Sequence, residues 1–244
     1  MLARVLGKER AIMTPHRFSV TAATLISAII FSAALAAENP SPSWDGLIAV
    51  KSKRLDAVYL MPDADFRTYT KVMFDPVEVA LKKNWVRDYN RITGDLSGQI
   101  SNADVQKGLE TIRTGFTDTF AKAFSDAGYR VVTAPGPDVL RLRTGVMNVS
   151  VTAPDVRPGN SRTFSRDAGE ATLILEARDS ETGAVMGRAV DQRLAGDTSR
   201  LMRNSVTNRT DFSRLFTDWA KASVDGLAEL KALSPVNVAA LPAK

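Results

Sequence analysis

Glu170-Ala-Thr-Leu-Ile-Leu-Glu-Ala-Arg178-Asp179-Ser-Glu-Thr-Gly183-Ala-Val-Met-Gly-Arg-Ala-Val-Asp-Gln-Arg-Leu194 is the stretch on which the fold turns. From Glu170 to Arg178 the period is two, so Ala171, Leu173, Leu175 and Ala177 share one face, as in a strand with one buried side. Asp179-Ser-Glu-Thr-Gly183 then supplies turn chemistry, with a glycine free to take positive φ. Residues 184–194 are therefore predicted to return as the second strand of a hairpin. Working upstream, residues 139–151 and 129–133 also read as strands. So do residues 57–61 and 69–79, where Pro76 makes the latter an edge or bulged strand because proline has no N–H to give a ladder.

Helical periodicity brackets this β region. Between Ser101 and Gly128 the apolar residues Val105, Leu109, Ile112, Phe116, Phe120 and Phe124 recur in steps of three and four. Ser101 with Asp104 makes an N-cap with a carboxylate in the first turn, and Gly128 closes the segment. Gly108 and Gly115 oppose the helix by about 1 kcal/mol each, whereas burial of six large side chains supplies about 9 to 18 kcal/mol gross. A second helix is predicted from Asp211 to about Leu233, with Phe212, Leu215, Phe216 and Trp219 on one side. The resulting order predicts an α+β fold: a largely antiparallel sheet with two main helices packed on one face. One domain is expected over 55–233, with a linker over 37–54 and a disordered tail over 234–244. The longest internal loop is expected over 153–166.

The chain has 244 residues, and its first 36 read as a signal peptide. Arg4, Lys8, Arg10 and Arg17 precede an uncharged run from Phe18 to Ala37, and Ala34-Leu35-Ala36 offers a peptidase the small residues it needs. Cleavage is placed after Ala36. The competing reading is an uncleaved anchor, since about 20 uncharged residues can span a bilayer. Of the 32 basic and 27 acidic residues, four and one fall in the first 36, leaving 28 and 26, a net charge of +2. With cations scattered singly, that balance carries no nucleic-acid footprint. Membrane association is expected only if the signal is uncleaved.

Cysteine is absent and the only histidine is His16, inside the signal. The mature sequence therefore lacks the residues for Ser-His-Asp or Cys-His catalysis and for thiolate or imidazole metal sites, and no cofactor is expected. What survives is carboxylate chemistry. Its candidates are Asp75 with Glu78, Asp179 with Glu181, and Asp191. On a continuous strand Asp75 and Glu78 would fall on opposite faces, and Asp179 and Glu181 sit where turns ordinarily place acids. A different constellation lies in Lys82-Lys-Asn-Trp85-Val-Arg87-Asp88-Tyr89-Asn90-Arg91. Aromatics interleaved with charge there can grip a ligand by stacking and guanidinium contacts, which makes Trp85, Arg87, Asp88 and Tyr89 a candidate binding surface. The plainer reading is an amphipathic segment whose Trp85 and Tyr89 pack on the sheet.

Several segments together resemble a bacterial envelope family, domain-of-unknown-function family 3313. They are Tyr69-Thr-Lys-Val-Met-Phe-Asp75-Pro76-Val-Glu-Val79, Trp85-Val-Arg-Asp-Tyr-Asn90, Gly128-Tyr-Arg-Val-Val132 with Pro135-Gly-Pro-Asp-Val-Leu-Arg-Leu-Arg143, and Asp179-Ser-Glu-Thr-Gly183. The resemblance covers roughly residues 55–232. It implies an envelope location, and many members carry a lipoprotein cysteine that this chain lacks. It assigns no functional residues. The expectation is an exported cell-envelope protein, periplasmic or secreted: a non-catalytic module that binds an envelope protein or small ligand. The alternative is a carboxylate-dependent hydrolase of the periplasm.

Overall fold

The computed structural model describes residues 44–93, 98–154, 163–196 and 199–241, all within the compact unit Glu38–Lys244. The expected signal peptide lies outside the described residues. In chain order the elements are β1 (Ile48–Val50), β2 (Ala57–Leu60), β3 (Lys71–Phe74), β4 (Glu78–Leu81), α1 (Trp85–Thr93) and α2 (Asn102–Asp126). They continue with β5 (Arg130–Val131), β6 (Val139–Val151), β7 (Phe164–Ser165), β8 (Gly169–Asp179), β9 (Val185–Ala195), β10 (Leu201–Met202) and α3 (Ser205–Leu233).

The predicted hairpin is the centre of the sheet. β8 and β9 pair antiparallel with Leu175 opposite Ala189, and Gly183 takes φ 72° in the turn. Asp179 Oδ1 accepts hydrogen bonds from the Thr182 amide and hydroxyl, each at 2.7 Å. The strand order is β1-β2-β9-β8-β6-β3-β5, with β4 also on β6, while β7 and β10 form a separate ribbon. The class is α+β as expected, but the sheet is mixed. β3 and β4 run parallel to β6, and β5 runs parallel to β3. The reason is topological: α1 and α2 intervene between these strands and β6, and a helical crossover returns the chain in its original direction.

Ser101 and Asp104 form a reciprocal capping box at the start of α2, and Asn204 and Thr207 form one at the start of α3. α3 starts six residues before the predicted Asp211. The core lies between the helices and the face of β8 that carries Ala171 and Leu173, both fully buried. Aromatic rings run along the junction of the two helices: Phe116 meets Phe120 at 4.1 Å and Phe216 at 5.5 Å between ring centroids. Phe116, Phe120 and Phe124 are buried as predicted, but Val105, Leu109 and Ile112 are only half-buried, so the first half of α2 contributes less than its periodicity promised.

Both expected boundaries need correction. Residues 48–50, read as linker, form β1, and Leu47 is completely buried. The described part of the expected disordered tail, residues 234–241, packs instead: Val236 is fully buried, its amide donating to Ala64 O at 2.9 Å and its carbonyl accepting from the Asp63 amide at 3.0 Å. Partners more than 160 residues away hold this strap, so nothing local in an Ala- and Pro-rich tail announces it.

Candidate functional site

Between the C-terminal half of α3 and the sheet lies a cleft of about 890 Å³. It exists because both walls carry small side chains. On the sheet Ala177, Gly187 and Ala189 lie under it, and on α3 Ala222 and Gly226 face it. A Cβ added at Gly226 would find no heavy atom within 4 Å. Leu60, Leu142, Leu175 and Leu227 complete an apolar interior, in the size range of ordinary small-molecule sites.

The mouth is polar. One lip is the bend between β1 and β2, with Lys51, Lys53 and Arg54 exposed; the other is α3, with Asp225 and Glu229. Arg54 spans the two, 3.9 Å from Asp225 and 3.6 Å from Glu229. Lys221, donating at 2.8 Å, holds the Asp225 carboxyl below the usual aspartate range. Lys51 and Lys53 have no ion-pair partner among the described residues. The bend itself is fixed. Ser52 Oγ accepts from the amides of Arg54 and Leu55, Arg193 donates to Arg54 O at 2.8 Å, and the Asp56 amide donates to Asp191 Oδ1 at 2.9 Å.

The sequence pointed elsewhere. Trp85 and Tyr89 lie on α1, half-buried, with ring centroids 6.0 Å apart. With Lys82, Asp88, Ile92 and Val151 they bound a second depression of about 320 Å³. Arg87 points away into solvent, 3.1 Å from Asp88. Asn90, by contrast, is structural: its amide group exchanges two hydrogen bonds with the backbone of Ile100.

Asp75, Glu78, Asp179 and Asp191 are committed to partners, whereas the fifth candidate, Glu181, is exposed in the hairpin turn. Asp75 meets Arg141 at 2.8 Å and Glu78 meets Arg143 at 2.6 Å. Because those arginines are two apart on β6, Asp75 and Glu78 share a face, contrary to the alternation expected of one strand. The chain leaves the strand at Asp75-Pro76-Val77 and re-enters at Glu78, which resets the alternation. Asp179 ties the hairpin turn and accepts from Tyr69 Oη at 2.9 Å; chiefly the Thr182 amide holds its carboxyl below the usual range. Burial, reinforced by the bond to Asp179, pushes the Tyr69 phenol well up. Asp191 is buried, accepting from Trp219 Nε1 at 2.8 Å and pairing with Arg193 at 2.6 Å. Among the described residues no group of three or more His, Cys, Asp or Glu side chains is placed to hold a metal ion.

Sequence reasoning missed the cleft. The available signals were Lys51-Ser-Lys-Arg54, read as linker, and the i, i+4 pair Ala222 and Gly226 in the C-terminal half of the second helix.

Fold and cleft together define an α+β domain with helices over one face of a mixed sheet and an apolar pocket beneath one of them. The family model described as "Protein of unknown function (DUF3313)" matches residues 38–223, and the chain belongs to that family. No curated protein matches it. Among solved structures, the PelC dodecamer from Paraburkholderia phytofirmans overlaps with a TM-score of 0.30 at 10% identity, over 66% of this chain and 96% of that one. Protein XCC0632 from Xanthomonas campestris gives 0.33 at 13%, over 70% and 88%. Lipoprotein GNA1162 from Neisseria meningitidis gives 0.33 at 12%, over 66% and 99%. Overlaps this slight carry no argument about what the chain does.

Proposed function

We propose that this protein is an exported, non-catalytic binding module of the bacterial cell envelope, periplasmic or secreted, whose ligand enters the cleft between α3 and the sheet. The observation that carries the reading is the cleft itself. An apolar space of about 890 Å³ kept open by small residues on both walls forgoes packing that larger side chains would supply. Export is supported by the basic start, apolar run and Ala34-Leu35-Ala36 of the first 36 residues. A hydrolase gains no support, because Asp75, Glu78 and Asp191 are each held by an arginine.

Gly226→Leu tests the cleft. Replacing a helical glycine removes a penalty of about 1 kcal/mol, and the new side chain occupies open space, so the variant is expected to melt no lower than the parent. It is also expected to lose binding of an apolar fluorophore such as N-phenyl-1-naphthylamine. Unchanged fluorophore binding by a folded variant refutes the reading.

The depression beside α1 supports a second reading, a protein-contact surface, because Ile92 at its edge is 81% exposed beside the half-buried Trp85 and Tyr89. Ile92→Ala, which removes the exposed apolar anchor at its edge, is expected to lower capture of an envelope partner without lowering the melting temperature. Retained capture overturns this second reading.

A further inference from the structure

We propose that the cleft takes an anionic amphiphile, its apolar tail lying under α3 and its acidic head held by Lys51 and Lys53. This rests on the reading of the cleft as a ligand site and names the ligand's chemistry.

Three observations lead to it. First, the interior and the mouth differ in kind. The interior offers leucine and alanine side chains, while every charged residue lining the cleft other than Arg188 sits on the two lips. A uniformly apolar ligand would leave the lips unused, and a uniformly polar one would leave the interior unfilled. Second, the charges of the lips are unequally committed. Asp225 and Glu229 face Arg54, and Asp225 also pairs with Lys221 at 2.8 Å. Both carboxylates are thus answered by the protein, whereas Lys51 and Lys53 have no carboxylate partner among the described residues. The uncompensated charge at the mouth is positive. Third, the lysines stand on a prearranged bend. Ser52 Oγ caps it at 3.1 and 3.2 Å, and Asp191 and Arg193 of β9 tie it to the sheet. A fixed bend loses less freedom when it closes on a ligand than a floppy one does. Among the described residues the Ser52 hydroxyl donates to no partner, which leaves its proton for an acidic oxygen.

The head therefore carries a carboxylate or a phosphate, and the tail is long-chain hydrocarbon. A long-chain fatty acid and a lysophospholipid share this chemistry.

The test uses the purified exported protein and four sixteen-carbon probes below their micellar concentrations. They are palmitate, palmitoyl-lysophosphatidylglycerol, neutral monopalmitoylglycerol and cationic hexadecyltrimethylammonium. Competition against N-phenyl-1-naphthylamine reads their affinities. Both anions are expected to bind at least tenfold more tightly than the neutral and cationic probes in low salt. The margin is expected to shrink in 0.5 M salt, since exposed charges are screened beyond a few ångströms there. Lys51→Gln/Lys53→Gln is expected to weaken the anions roughly fivefold or more and to leave the neutral probe unchanged. Tighter binding of palmitate names a free fatty acid as the source; tighter binding of the lysophospholipid names a membrane lipid product. Equal affinity of all four probes, or an anion preference that survives the double substitution, overturns the assignment of the head group and leaves the cleft reading intact. Failure of every probe overturns both.

Discussion

Arg203 and Asp211 provide the sharpest test of the packing at the start of α3. The Arg203 side chain is 0% exposed and that of Asp211 4%, and their charged groups meet at 2.5 Å. Arg203 also donates to Ser165 O at 2.9 Å and to Arg166 O at 2.6 Å. It thereby fastens β7, and the turn that follows β7, to the helix. Removing one member of a buried pair leaves the other uncompensated, which costs about 3 to 5 kcal/mol out of a total stability of about 5 to 15. Arg203→Ala is expected to cost more than Asp211→Ala. It strands a buried carboxylate, whose nearest remaining cation is Arg214 at 3.8 Å, together with two carbonyls. Asp211→Ala leaves the guanidinium its carbonyl partners. Replacing both, as Arg203→Met/Asp211→Leu, is expected to cost less than Arg203→Ala alone, since no charge then remains buried. For a domain of this size each kcal/mol moves the melting temperature by about 2 to 4 °C, so the single variants are expected to melt roughly 6 to 20 °C lower. Urea unfolding followed by circular dichroism and by tryptophan fluorescence measures the cycle. Single variants within about 1 kcal/mol of the parent would refute the reasoning, as would a double variant whose cost is the sum of the singles.

Phe120→Asp puts a carboxylate into a position 1% exposed, which costs several kcal/mol and is expected to abolish cooperative melting, whereas Asp118→Ala on the exposed side of α2 is expected to melt like the parent. For Glu176, burial pushes the carboxyl up, but hydrogen bonds from Arg178 and Arg188 outweigh it and hold the group below its ordinary 4.5. A depressed acid contributes stability that is present above 4.5 and is lost as pH falls through its folded value. Glu176→Gln is therefore expected to lower stability at neutral pH and to flatten its loss in acid; parallel stability profiles for the two proteins would contradict the assignment. Intact-mass measurement of the exported protein is expected to show a chain starting at Ala37, and a mass that still includes the uncharged run from Phe18 would support an anchor instead.

What the sequence determined by itself is what local chemistry can write. The period-two run of residues 170–178 and the turn at Asp179–Gly183 fixed the central hairpin, because strand alternation and turn geometry depend on neighbours a few residues away. Ser101 and Asp104 fixed the start of α2 for the same reason. The absence of cysteine, and of any histidine after His16, bounded the chemistry without any structure. What only the tertiary structure decided are relations between distant segments. Parallel pairing of β3 and β4 with β6 follows from the path of α1 and α2 across the sheet. The burial of Val236 depends on residues 63–64, and Asp211 became an ion-pair partner only when α3 extended back to meet Arg203. The cleft belongs to this second kind. Ala222 and Gly226 look like ordinary helix residues, and Gly187 and Ala189 like weak strand residues, until the fold sets them face to face. A cavity is a property of two surfaces, and the distance between those surfaces is not encoded in either one alone.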